Sequence, residues 1–179
     1  MKKTVIVSVC GLFSALSAVI MLISYFPSLT YAVPAVAGVI FMVPLLEFGS
    51  KYAFICYGVT AVIAFLTAET ESKVLFVCFF GFYPIVAILV SRIQSKLIKY
   101  TIKLAIFNIA VVLAYFLITA VFGIAFTGEF GLTAEIFALC LLLIGNVVFI
   151  LYDIAVDRLY LAYCFKWRKS VRKILKLGK

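Results

Sequence analysis

Histidine is absent from the 179-residue chain, which removes the commonest metal ligand and the side chain that usually shuttles protons near neutral pH. Charge is scarce as well. Only 13% of residues are charged and 67% are hydrophobic, with a mean hydropathy of +1.28. A soluble domain needs more polar surface than this to cover its exterior, so the surplus apolar surface is expected to face lipid. No Walker A loop, histidine dyad, Ser-His-Asp set or HExxH run occurs, so the chain has no residues with which to hydrolyse ATP and no visible catalytic set. It is not expected to be an enzyme. No CxxC pair occurs either. The five cysteines (Cys10, Cys56, Cys78, Cys140 and Cys164) are scattered through apolar runs and read as small core hydrophobes, not as a disulfide framework.

What is present is a series of apolar segments. A hydrocarbon core of about 30 Å takes roughly 20 apolar residues in a helix. Six candidates occur, at about 4–26, 31–46, 52–67, 74–90, 101–126 and 132–152. Lipid offers the backbone no hydrogen bonds, so these segments are expected to be helices, in a single all-α transmembrane domain. The second is the shortest. At about 1.5 Å per residue it reaches only roughly 24 Å, and Pro34 and Pro44 mark it as a short or locally broken span.

The net charge of +9 does not point to nucleic acid, because the basic residues flank the apolar segments and gather in one tail. With the amino terminus in the cytoplasm, six spans put 15 of the 16 lysines and arginines on that side and leave only Lys73 outside. The sequence therefore predicts a multi-pass protein of the cell membrane with both termini cytoplasmic. Lys2 and Lys3 before an apolar run suggest a secretory leader, but the run exceeds the usual length of about 7–15 residues and is read as a span. Beyond Tyr152 a basic helix is expected over about 153–179. Tyr160, Tyr163, Phe165 and Trp167 would sit at headgroup level and the basic tail against anionic lipid.

Several polar and small residues stand out inside or beside the spans. Ser8, Gly11, Ser14, Ala15 and Ala18 lie at helical spacing in the first span, with small-xxx-small pairs at Gly11–Ala15 and Ser14–Ala18. Such a stripe serves close helix packing, either within the molecule or against a partner subunit, and pattern alone favours the internal role. Asn108 and Asn146 fall at similar depth in the fifth and sixth spans, where a mutual hydrogen bond would satisfy two amides that lipid cannot. Asp153 and Asp157 share a helix face. That spacing suits a divalent cation in membrane phosphotransferases, but the D-G-x-x-A-R run of those enzymes is missing. Pairing with Arg158, or with Arg92 and Lys96, is the simpler expectation. At the outer side, Tyr25, Phe26, Tyr31, Phe79, Phe80 and Tyr83 accompany Glu69, Glu71, Glu129 and Glu135. The set reads either as an interfacial belt with solvated acids or as a pocket for a small organic ligand.

The run GLFSALSA at 11–18, the run FFGFYPI at 79–85 and the six-segment layout together resemble the S components of energy-coupling factor (ECF) transporters. These are the small membrane subunits that capture vitamins. The chain is also similar to small membrane proteins of Gram-positive bacteria near that group. The resemblance implies a partner transmembrane subunit and two cytosolic ATPases, with Gly11–Ala15 or Ser14–Ala18 taking the place of the family's AxxxA packing motif. It implies an outward nutrient pocket near Tyr25, Tyr31, Phe79, Tyr83, Glu129 and Glu135. No signature for thiamine, riboflavin, biotin or folate is matched. The alternative is a membrane scaffold or assembly protein that uses the same small-residue face.

Overall fold

The structure, a computed structural model, describes residues 3–122 and 134–174, with the side chains of 27, 121–141 and 174 outside that description. The described residues are helical and contain no strand. Helix α1 covers Lys3–Leu22 and runs through 3₁₀ turns at Ile23–Tyr25 and Pro27–Leu29. The second segment divides into α2 (Ala32–Val39) and α3 (Met42–Phe48), and α4 covers Ser50–Thr67. The next segment is α5 (Thr70–Leu75), a π-helical turn (Phe76–Phe80) and α6 (Tyr83–Val90). Two long helices follow, α7 (Lys96–Phe122) and α8 (Ala134–Ala162). A second π-helical turn (Tyr163–Trp167) then leads into α9 (Arg168–Ile174). Four stretches among the described residues are long and apolar enough to cross a membrane: Lys3–Tyr25, Ser50–Thr67, Thr70–Val90 and Lys96–Ala120. The stretch Ala32–Phe48 is apolar but shorter.

Large aliphatic side chains lie on the outside. On α1 these include Val7, Leu12, Leu16 and Val19, and on α8 Val147, Ile150 and Leu151. Small and hydroxylated residues lie inside, which brings helix axes close and lets side chains bond to neighbouring backbones. The Ser14 hydroxyl donates to the Cys56 carbonyl at 3.3 Å, and the Thr60 hydroxyl reaches the Ser14 and Cys56 carbonyls at 3.2 and 3.0 Å. One zipper thus joins α1 to α4.

The two interrupted segments meet each other in the core. At the first break the Phe41 amide bonds to the Gly38 carbonyl, which releases the Ala37 carbonyl from its regular helical partner; the Ser17 hydroxyl takes it at 3.0 Å. In the π turn the Gly81 amide bonds back to Phe76, which frees the Val77 carbonyl for the Tyr57 hydroxyl at 2.7 Å. Backbone released at membrane depth is tolerable because protein side chains satisfy it. The break also accounts for Pro44. It stands in the first turn of α3, where a missing amide costs little, and not in the last turn of an unbroken span.

Two ends of the bundle are defined by hydrogen bonds. At one end the Tyr25 hydroxyl donates to the Thr67 carbonyl, Ser72 to the Thr30 carbonyl, and the Glu69 amide to the Ser24 hydroxyl. Glu69 also caps α5 through the amides of Glu71 and Ser72. At the other end α3 meets the carboxyl-terminal helix. Helix α8 runs through Tyr152 without interruption, and the next irregularity is the π turn at 163–167.

The crossing of the interrupted segments leaves no room at Gly38, where an added Cβ would collide with the Phe80 carbonyl oxygen, whereas Gly11 has nothing within 4 Å. Gly38→Ala is expected to destabilise the protein by about 1–3 kcal/mol or more, and Gly11→Ala by no more than about 0.5 kcal/mol, in denaturant titrations of the detergent-solubilised protein.

Candidate functional site

The most costly group in the bundle is Lys103, whose side chain is 1% exposed. The sequence groups it with the loop lysines, but it lies two turns inside α7. An ammonium cannot be left unpaired there, and α8 supplies the counter-charges. The Lys103 Nζ donates to Asp153 Oδ1 at 2.6 Å and lies 3.5 Å from Asp157 Oδ2. Tyr83, at the start of α6, donates its hydroxyl to the same Asp153 oxygen at 2.6 Å. One carboxylate oxygen therefore binds three helices together.

Aromatic rings pack against one side of this network. Phe107 and Phe149 stack with centroids 4.6 Å apart, and Phe79 packs against Tyr83, Phe107 and Phe149 at 4.6, 5.3 and 5.9 Å. Tyr152 contacts Phe79, Phe80 and Tyr83 and donates its hydroxyl to the Ala35 carbonyl at 3.3 Å. Exclusion of water by these rings lowers the local dielectric and strengthens the ion pair.

A second buried carboxylate, Glu47 near the end of α3, is 2% exposed at its side chain. Negative charge is unfavourable at a helix carboxyl terminus, so cationic partners are required. Arg168 Nε and Arg172 Nε donate to its two oxygens at 2.9 and 2.5 Å, and the Tyr163 hydroxyl donates at 3.3 Å. Burial first, and then the Glu47 carboxylate, pushes the Tyr163 phenol above the ordinary tyrosine range, so it remains a proton donor. Tyr163, Arg168 and Arg172, which the sequence places at the headgroup layer and against anionic lipid, thus also bond to Glu47, with the two arginine side chains 41% and 48% exposed. Phe165 and Trp167 do face outward.

The outer aromatic set does not converge on one pocket. Phe79 and Tyr83 are buried beside Asp153, whereas Tyr25 and Tyr31 are exposed at the opposite end. The Tyr25 hydroxyl is committed to Thr67 and the Tyr31 hydroxyl to Glu71 at 3.0 Å. Glu129 and the Glu135 side chain lie outside the described residues. The small-residue stripe divides as well. Ser14 and Ala18 are buried within the bundle, while Gly11 and Ala15 lie on the exposed face of α1. Asn108 and Asn146 exchange hydrogen bonds at 3.1 and 3.2 Å, and each amide also donates to the carbonyl one turn earlier in its own helix.

Asp153 and Asp157 pair with Lys103, not with Arg158, Arg92 or Lys96. The lysine ammonium provides the positive charge that a metal ion would otherwise bring to these carboxylates. No group of three or more potential metal ligands occurs among the described residues. The residue pattern does not single out Glu47. The one sign available was an acidic residue set between an apolar proline-containing run and the next span. Comparison with protein-family models, curated proteins and solved structures finds no match to the chain.

Asp153→Asn is expected to cost about 3–5 kcal/mol because it leaves Lys103 buried without a full counter-charge. Lys103→Met combined with Asp153→Asn should recover most of that loss, read by unfolding in mixed micelles. A double-mutant cycle on Asn108→Ala and Asn146→Ala should give a coupling of about 0.6 kcal/mol; additive effects would show the two amides to be energetically independent.

Proposed function

We propose that the chain is a six-span protein of the cell membrane with both termini cytoplasmic, and that it is the substrate-capture subunit of an ECF-type uptake transporter. Its cargo would be a vitamin or a similar small organic nutrient. The observation that carries the transport reading is the buried Tyr83–Asp153–Lys103 network beside two interrupted helices. Ionisable groups inside an apolar bundle are costly and belong to ligand or ion handling more often than to simple anchoring. Interrupted helices packed together at depth are the arrangement by which transporters build binding sites and change shape.

The two bundle ends support the six-span count. Residues 24–31 and 67–73 meet at one end, and residue 47 meets 163–172 at the other, as alternating crossings require. Lys51, Arg92, Lys96 and Lys99 fall towards the second end, which is read as cytoplasmic. The chain carries no nucleotide-binding loop, so ATP would be hydrolysed by two cytosolic partners coupled through a transmembrane subunit. The exposed Gly11 and Ala15 surface on α1 suits a close helix contact with that subunit.

A membrane scaffold is the second reading. It is favoured by the packing of the centre, where Phe79, Phe107, Phe149 and Tyr152 pack together around the ion pair.

Purification from the native membrane followed by mass spectrometry should recover a transmembrane partner, two ATPases and a bound small organic molecule. Recovery of neither metabolite nor ATPase would overturn the uptake reading and leave the scaffold. Single cysteines at exposed Ser28 and Ser95, in a background with all five native cysteines replaced, should label from outside and inside the cell respectively; labelling of both from one side would refute the topology.

A further inference from the structure

Asp153 is 5% exposed, yet only its Oδ1 is engaged, by Tyr83 and Lys103. No buried side-chain oxygen among the described residues lacks a hydrogen-bond partner. Oδ2 must therefore reach open space. Asp153 lines a groove of about 460 Å³ between α7 and α8, together with Tyr100, Thr101, Leu104, Phe149, Ile150 and Ile154. Leu104, Ile150 and Ile154 are all more than one-third exposed, so the groove is open along the side of the bundle.

The groove has a polarity gradient. Helices α7 and α8 run antiparallel. Tyr100 and Thr101 therefore lie level with Asp153 and Ile154 at the shallow end, and Leu104 lies level with Phe149 and Ile150 deeper in. Hydroxyls and a carboxylate oxygen occupy the shallow end and hydrocarbon the deep end. Charge is unbalanced in the same direction. Within this trio two carboxylates, Asp153 and Asp157, share one ammonium, Lys103, so the lysine alone does not match both. Lys99 lies one turn further towards the start of α7.

We propose that this groove binds an aminophospholipid with an ethanolamine headgroup, taken from the leaflet at the Lys96 end of α7. The primary ammonium would donate to Asp153 Oδ2 and add a second positive charge. The phosphate would lie towards the Tyr100 and Thr101 hydroxyls and Lys99, and one acyl chain would follow Leu104 and Ile150. A primary ammonium fits where a choline does not, because the quaternary nitrogen has no N–H to donate to a carboxylate oxygen in a narrow site. The lateral opening selects a ligand that arrives from the bilayer. This inference rests on the membrane reading alone and is independent of nutrient uptake.

The test is native mass spectrometry of the full-length protein, delipidated and then supplied with equal amounts of palmitoyl-oleoyl phosphatidylethanolamine, phosphatidylcholine and phosphatidylglycerol. The ethanolamine lipid should be retained about tenfold or more over the choline lipid, the ratio expected from one charge-assisted hydrogen bond. Asp153→Asn should reduce that ratio. Leu104→Trp and Ile150→Trp fill the groove without touching the ion pair, and should abolish the preference with the unfolding midpoint unchanged. Equal retention of the three lipids, or an unchanged preference in the tryptophan variants, would overturn the proposal. So would free ethanolamine binding as tightly as the lipid, which would make the ligand a soluble amine.

Discussion

The Asp153 carboxylate organises the interior of this protein. A lysine ammonium in an apolar bundle is unstable unless a counter-charge is held at hydrogen-bond distance, and here one oxygen of Asp153 does this while also accepting the Tyr83 hydroxyl. The three side chains come from α6, α7 and α8, so satisfying one charge fixes the positions of three helices at once. The rings of Phe79, Phe107 and Phe149 pack against the network and lower the dielectric on that side of it.

The other half of the molecule is held by a different use of the same rule. Helices α1, α2 and α4 carry few charges, and their contacts are hydroxyl-to-carbonyl bonds from Ser14, Ser17 and Thr60. Lipid gives helices no hydrophobic reason to associate, so close approach and these bonds must provide the attraction. Such bonds also make the breaks at 40–41 and 76–82 tolerable, because the released Ala37 and Val77 carbonyls each accept a side-chain hydroxyl. Glu47 closes the opposite end by clamping α3 to the carboxyl-terminal helix.

Much of this was legible from residue order, and the remainder had tertiary causes. Apolar run lengths mark the helices, and two prolines mark the second segment as irregular. Equal depth on antiparallel helices makes an Asn108–Asn146 contact readable, and the two amides do bond to each other. Lys103 misleads because it follows Arg92, Lys96 and Lys99, where a lysine is normally a topology signal; only the facing helix reveals that it is buried. Glu47 is silent for the same reason, since its partners are more than 110 residues away in the chain. Tyr83 reads as an outer aromatic because the π turn that redirects it has no local sequence mark.

That π turn acts as a phase shifter. In an α-helix each residue advances the side-chain direction by about 100°, so the wider turn at Phe76–Phe80 offsets every later residue of the segment by about one residue's rotation. Phe76 and Phe79 lie within it and point into the core, and Tyr83, Ile85, Ala87 and Ile88 do so after it. Wound as one regular helix, Ile85 and Ile88 would point about 120–180° away from Phe76 and Phe79. If the same residues wound as a regular α-helix, every residue after Phe80 would be turned by about 100°, and the Tyr83 hydroxyl would leave Asp153. The winding of this stretch, as much as its side chains, therefore decides which residue meets the charge.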